Sequence, residues 1–387
     1  MTRELNLMAF VVFATTLFMR TVDPIIPQIA VGLGVAATTA ALLSSGFTLP
    51  YALIQPVLGA LADMLSKTRL IVVSMLSLSV ITLIAGFTMS FEVMMACRVL
   101  AGIAAGGIFP IALAITGDRV PVAQRQVAIG RILFAAMSGN LLGASGSGII
   151  ADLIGWRSVF FATAAIGLFA LAVAVPTFRT MKETPGRFDL STFVPNYRAV
   201  FSNPLAKFCF GAVFMEAIFM FGVFPYIATL LHSEGVTSAS IAGIVIAGFG
   251  VGGIGYTMIV SWLVRRFGPQ RLMASGGMII ASCLVMIALR LPWPFEFANF
   301  VVLGLGFYML HGCIQVFVTE LAPSARASAL AGHSAFFFIG QAIGPVIYGL
   351  GLQTIGIAPV LLLGAVVLTI TGWVCAFCLR HPTPASA

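Results

Sequence analysis

Glu216, Asp23, Arg20 and Arg98 are the residues of this sequence whose types and surroundings could do chemistry. Each stands inside a long apolar stretch. A charge near the centre of a bilayer costs at least roughly 2.5–3.5 kcal/mol, so each must face protein or a water-filled cavity. Glu216 has no basic residue within two helical turns, and nothing on its own helix neutralises it. A carboxyl so placed can take up and release a proton; the plainer reading is a structural hydrogen bond to another helix. Arg20 and Asp23 are three residues apart, share one helix face and can neutralise each other. The Arg98 guanidinium stays charged, so it can hold an anionic group but cannot carry the proton, and near a membrane face it can snorkel to headgroups.

The elements that position these residues are transmembrane helices. Of 387 residues, 60% are hydrophobic and 8% charged, which no water-soluble domain of this size tolerates on its surface. Arg326 and Arg380 enclose 53 residues without an Asp, Glu, Lys or Arg, where one crossing needs roughly 20. The apolar stretches predict spans at 7–30, 37–62, 69–89, 92–116, 125–150 and 157–177, then 205–231, 238–263, 270–290, 295–319, 326–350 and 356–379. Their polarity does not alternate as barrel strands would, which leaves helices. The expected organisation is an amino-terminal six-helix bundle (1–178), a cytoplasmic linker (179–203) with room for a short surface helix, and a carboxy-terminal six-helix bundle (204–387).

Charge sets the expected orientation. With both termini cytoplasmic, nearly all Lys and Arg outside the deep positions fall on the inside, and only Arg157 and Arg290 face out. The formal net charge of +8 is thereby explained by topology, and no nucleic-acid partner is implied. The first apolar segment lacks a small-residue cleavage site and is expected to be a span. The six cysteines are scattered through apolar spans; Cys375 and Cys378 have redox or metal spacing but no His or carboxylate beside them, so packing is expected of them. No phosphate loop, metal-ligand cluster or nucleophile elbow is present. An enzyme or an ATP-driven pump is therefore not expected; neither a cofactor nor a metal is expected, and the energy source would be an ion gradient.

The chain is a tandem duplication. Gly139-Asn140-x-x-Gly143-Ala144-x-x-x-Gly148 is repeated as Gly340-Gln341-x-x-Gly344-Pro345-x-x-x-Gly349, an offset of 201 residues. The same offset carries Arg125 to Arg326 and Ile154-Gly155 to Ile355-Gly356. Glycines four and five apart strip side chains from one helix face so that another helix can approach closely, and Pro345 would add a kink.

The loop after span 2 reads Gly59-Ala-Leu-Ala-Asp63-Met64-Leu-Ser66-Lys67-Thr-Arg69-Leu70. Here the chain resembles the major facilitator superfamily, whose signature loop between spans 2 and 3 has a Gly, an Asp four residues on, and a basic cluster. Within it, the glycine spacing of span 5 and the Gly155-Trp156-Arg157 that opens span 6 resemble the twelve-span drug:proton antiporter and sugar-efflux (arabinose-efflux-permease-like) branch. Ala144 stands where that branch's span 5 motif usually has Pro, and Ser66 and Met64 replace a Gly and an Arg of the loop.

The resemblance implies the major facilitator fold, an all-α membrane protein with twelve transmembrane helices in two repeat-related bundles. It implies a cytoplasmic gate of Gly59, Asp63, Lys67, Arg69 and Asp118, with Asp63 facing the start of span 11 and Lys67 or Arg69 paired with Asp118. It places Gly139, Gly143, Gly148, Gly340, Gly344, Pro345 and Gly349 on faces between the halves. Asp23 resembles the span 1 acid of proton-coupled efflux members, which makes it a second proton-coupling candidate beside Glu216, and Arg98 resembles the span 4 arginine. Asn140, Gln341, Tyr226, Tyr308 and His311 are the expected substrate-cavity residues, while His333 lies nearer the inner face.

The expected function is secondary active transport by alternating access, as proton-coupled export of a drug-like compound, sugar or metabolite. One alternative is an importer or exchanger of a small anionic metabolite held by Arg20 and Arg98; another is a membrane sensor or scaffold that transports nothing. The expected partners are a small-molecule substrate, protons and the lipid bilayer of a bacterial inner membrane, with the chain a monomer.

Overall fold

A computed structural model describes residues 2–64, 66–181 and 193–379; the side chains of 59–64 and of a few other helix-end residues lie outside the description. The described chain is helical almost throughout. Spans 1 to 6 occupy Glu4–Leu33, Ala37–Met64, Lys67–Gly86, Phe91–Arg119, Val122–Ile154 and Trp156–Thr180. A short helix, Phe193–Ser202, lies within the expected linker. Ala206–Ser233, Trp293–Glu320, Arg326–Thr354 and Ile357–Cys378 form spans 7, 10, 11 and 12. Spans 8 and 9 run as one 50-residue element, Ala239–Ala288, interrupted where Gly268 takes φ 75° before Pro269. Counting that break, the fold has the twelve spans expected.

The duplication is visible in the backbone. Gly155 and its repeat equivalent Gly356 take φ 93° and 81° and turn span 5 into 6 and span 11 into 12. A side chain in that region of φ is strained, which is why glycine stands at both turns. Spans 1 and 7 break at matching points: a 3₁₀ turn at Asp23–Ile25 in one and at Phe224–Tyr226 in the other. Pro24 and Pro225 are thus the equivalent prolines, and each ends the regular helix before it.

Two compact units result. The first comprises spans 1 to 6 with Phe224–Ala247, and the second comprises 189–223 with Gly248–Ala387. In the first unit, Gly139 and Gly143 of span 5 lie against the backbone of Phe13 and Leu17 in span 1. In the second, Gly340 and Gly344 of span 11 lie against Phe214 and Ile218 in span 7. These are the same contacts carried along by the repeat offset, and each is made inside one repeat rather than between halves as the resemblance implied. Gly148 approaches the other repeat, against Ala239 and Ser240 of span 8. Pro345 sits inside the helix of span 11 and Gly349 is buried.

Candidate functional site

The first unit gathers three of the four deep charges. Arg20 Nη1 donates to Asp23 Oδ2 at 3.1 Å, and Ser44 of span 2 donates to Asp23 Oδ1 at 2.6 Å. Asp23 is fully buried. The break in span 1 places it beyond the last helical turn of that segment, so its carboxylate can reach back to Arg20 while its other oxygen meets span 2. The Arg20 guanidinium also lies 4.8 Å over the Phe224 ring. Arg98 of span 4 donates to the carbonyls of Leu43 and Phe18 at 3.2 and 3.4 Å and packs over the Phe47 ring at 4.4 Å. Its Nη2 is buried with no hydrogen-bond partner among the described residues. Arg98 is held by carbonyls and a ring face within Coulombic range of Asp23, and is therefore not snorkelling to headgroups.

The second unit holds Glu216, also fully buried. Its own helix offers no counter-charge, but span 10 does: Oε2 of Glu216 and Nδ1 of His311 share a proton at 2.8 Å. The sequence placed His311 among cavity residues and left Glu216 unpaired; the structure makes them partners. The other carboxylate oxygen, Oε1, is buried without a hydrogen-bond partner among the described residues. Glu216 is the last α-helical residue before a π-helical turn, Ala217–Phe221. Such a turn widens the helix locally and is common at functional sites. Phe307 stacks on His311 at 4.6 Å and Phe337 meets its edge at 5.1 Å.

The remaining expected residues fall in different places. Asn140 donates to Ala136 O at 3.2 Å, and its Oδ1 has no partner among the described residues. Gln341, its repeat equivalent, is buried with Oε1 likewise unpartnered. Tyr226 is fully buried and belongs to the first unit; Tyr308 stacks on Tyr256 at 6.2 Å in the second. At the loop after span 2, Lys67 Nζ donates to Asp118 Oδ2 at 2.6 Å, while Arg69 is exposed and its backbone N–H is capped by Ser66. Gly59 and Asp63 lie outside the residues whose side chains are described.

Two acidic residues escaped the sequence reading. Glu296, near the start of span 10, is buried and accepts from Asn299 at 3.2 Å. Asp152, at the end of span 5, accepts from the backbone N–H groups of Ala239 and Ser240 at 3.0 and 2.8 Å and from the hydroxyls of Ser238 and Ser240 at 2.7 and 2.6 Å. It therefore caps the amino terminus of span 8 from another helix, where a negative charge meets free N–H groups and the positive end of the helix dipole. The signal was Ser238-x-Ser240 opening an apolar run, but its acidic partner is 86 residues away. Replacing Asp152 with Ala is expected to cost about 1 kcal/mol of local stability, the usual loss of a cap. Amide hydrogen exchange over 238–242 should then quicken about fivefold; unchanged exchange there would remove Asp152 from this role.

Helices long and apolar enough to cross a membrane, in two repeats with acids and guanidinium groups buried among them, have the architecture of a secondary transporter. The chain belongs to the Major Facilitator Superfamily, whose sequence model matches residues 8–326 and again 238–387. It is similar to multidrug resistance protein 1 of Bacillus subtilis, 25% identical over 85% of this chain and 84% of that protein. It is also 25% identical to the quinolone resistance protein NorA of Staphylococcus aureus, over 90% of each chain. Among solved structures, a bacterial homologue of the human lysosomal transporter Spinster, inward-facing and unoccupied, superposes with a TM-score of 0.78, 17% identity and 99% coverage of both chains. The nucleoside transporter NupG superposes with a TM-score of 0.77 at 14% identity, covering 99% of this chain and 100% of that one. These likenesses show the major facilitator fold. The protein is a multi-pass membrane transporter of small molecules.

Proposed function

We propose that this protein exports a small, drug-like molecule in exchange for protons, by alternating access, and that Glu216 is the proton carrier. The observation that carries the reading is the buried Glu216–His311 pair: neither partner has a fixed charge, so one proton can enter or leave the pair without stranding a permanent ion. Asp23 differs, because its partner Arg20 is a permanent cation. We assign Asp23 to fixing the first unit's interior and Glu216 to coupling. Export of drug-like compounds is supported by the similarity to two resistance proteins.

In this reading the substrate and the proton compete for one cavity, so inward proton flow drives outward transport. Asn140 and Gln341 supply acceptor oxygens, and Lys67 with Asp118 belongs to a cytoplasmic gate. The protein works as a monomer in a bacterial inner membrane with both termini cytoplasmic, needs no cofactor, and draws on the proton gradient. One observation favours a second reading: the buried, unpartnered Nη2 of Arg98 could receive an anionic substrate.

The test is accumulation of lipophilic dyes and antibiotics in efflux-deficient cells expressing equal amounts of wild type, Glu216→Gln or Asp23→Asn, with and without an uncoupler. Wild type should lower accumulation of some compounds, and the uncoupler or Glu216→Gln should each abolish this. If no compound responds, the multidrug reading fails, and transport of anionic metabolites with Arg98 substituted becomes the decisive assay.

A further inference from the structure

We propose that Glu216, His311 and His333 form a proton relay, with His333 as its exit towards the end of the second unit where spans 7 and 11 begin and span 10 ends. The proposal rests on the proton-coupled reading and extends it to a residue that reading does not use.

Three observations carry it. First, the rings are in series: His311 shares a proton with Glu216 at 2.8 Å, and the His333 ring lies 4.8 Å from the His311 ring, centroid to centroid, at 62°. A rotation of either ring, or one bridging water, closes that second gap. Second, the two outer members of the series each carry an unsatisfied polar atom. Glu216 Oε1 and His333 Nε2 are both buried with no hydrogen-bond partner among the described residues, although an imidazole that served only packing would be expected to have its nitrogens satisfied. His333 is 2% exposed.

Third, the three residues descend in order towards one end of the bundle. Asn203 Nδ2 donates to Leu321 O at 2.9 Å, which shows that the start of span 7 and the end of span 10 lie side by side. Counted at about 1.5 Å per residue, Glu216 lies roughly 20 Å in from Asn203, His311 roughly 15 Å in from Leu321, and His333 only roughly 10 Å from Arg326, where its own helix begins. The relay therefore leads from a fully buried carboxyl past the packed rings of Phe210, Phe214 and Phe336 on spans 7 and 11.

The step balances without any other reactant. Protonated Glu216 gives its proton through Oε2 to Nδ1 of His311. His311 passes the proton from its other nitrogen to His333, and His333 gives one up from its second nitrogen to a water molecule. Each ring ends as the other neutral tautomer, and a ring flip resets it. The other titratable groups around the series are Cys209 of span 7, Cys313 of span 10, Tyr256 of span 8, Tyr348 of span 11 and Cys375 of span 12. All ordinarily titrate above neutral pH, so none competes for the proton. Among the described residues, the other charged groups on spans 7, 10 and 11 stand at the helix ends, at Lys207, Glu296, Glu320 and Arg326.

The experiment is a pH jump on the purified full chain, with time-resolved infrared spectroscopy of the carboxyl C=O stretch that Glu216→Gln removes. His333→Gln is expected to slow protonation and deprotonation of Glu216 at least roughly tenfold while leaving the equilibrium midpoint of the band in place. In His333→Ala, which leaves space for a ring, added imidazole should restore the rate. An unchanged rate in His333→Gln overturns the relay. A slowed rate accompanied by a shifted midpoint, with no rescue by imidazole, also overturns it, because that pattern belongs to a packing residue. If the wild-type band does not titrate at all, Glu216 is not a proton carrier and the relay falls with it; if it titrates and His333→Gln is silent, only the relay is lost.

Discussion

Asp23→Ala is expected to leave little folded transporter. Asp23 is the shared anion of a buried network, taking Arg20 at 3.1 Å and Ser44 at 2.6 Å, with Arg98 in Coulombic range. Glu4, Glu92, Asp118 and Asp152 of the same spans stand at helix ends and cannot replace it. Removing one partner of a buried ion pair costs about 3–5 kcal/mol, because the other charge stays behind without compensation. Here two guanidinium groups are left. Asp23→Asn should be milder, since its amide still accepts from Ser44, and Arg20→Met with Asp23→Asn should recover part of the loss by removing one stranded cation. Thermal stability of the purified protein in detergent is the measurement. An Asp23→Ala variant as stable as wild type would mean that Arg20 and Arg98 find other partners and that this network is not what holds the first unit together.

The second large effect is expected at Gly344. A Cβ there would lie 2.6 Å from Ile218 O and 2.7 and 3.0 Å from Cα and N of Gly222, all of them backbone. Backbone cannot rotate away as a side chain can, so spans 7 and 11 must separate. Overpacking costs typically about 1–3 kcal/mol, and Gly344→Ile, which adds branches beyond Cβ, should reach or exceed the top of that range. Tyr348, one turn on, donates to Phe219 O at 2.6 Å and would lose that bond if the helices part. The repeat supplies a matched trial: Gly143→Ile, whose Cβ would meet Leu17 O at 2.5 Å, should be comparably damaging. Gly146, with open space around its Cβ position, is the control. Equal yields of folded protein from Gly143→Ile and Gly146→Ile would show that these helices are not in backbone contact.

Much of this fold is legible in the sequence. Gly34 and Gly235, and Gly155 and Gly356, take positive φ in pairs separated by the repeat offset, and the backbone oxygens that receive Gly139 and Gly340, those of Phe13 and Phe214, keep the same offset. A duplication fixes equivalent turns and equivalent contacts together, so finding it in the glycines located both. The site was less legible. Glu216 was found because it is an acid with no basic neighbour, a property of one segment. Its pairing with His311 was not, because a partner 95 residues away depends on how far each helix is rotated about its axis. The glycine faces of spans 5 and 11 were recognised, but which helix fills them was not, for the same reason. Glu296 was passed over at the edge of a span, and Asp152 at the end of one, where a short-range reading sees only an ordinary helix terminus.

The sequence by itself determined the membrane environment, the twelve spans, the duplication and the short list of ions that must hide from lipid. All of these follow from a one-dimensional requirement: a backbone crossing hydrocarbon must satisfy its own hydrogen bonds, and an unbroken run of apolar residues marks where it does so. The tertiary structure decided which ions meet. It placed Arg20 with Asp23, Lys67 rather than Arg69 with Asp118, Glu216 with His311, and Asp152 on the first turn of span 8. Those pairings depend on helix rotation and on breaks such as the 3₁₀ turn at Asp23 and the π turn after Glu216, and the packing of whole helices sets both.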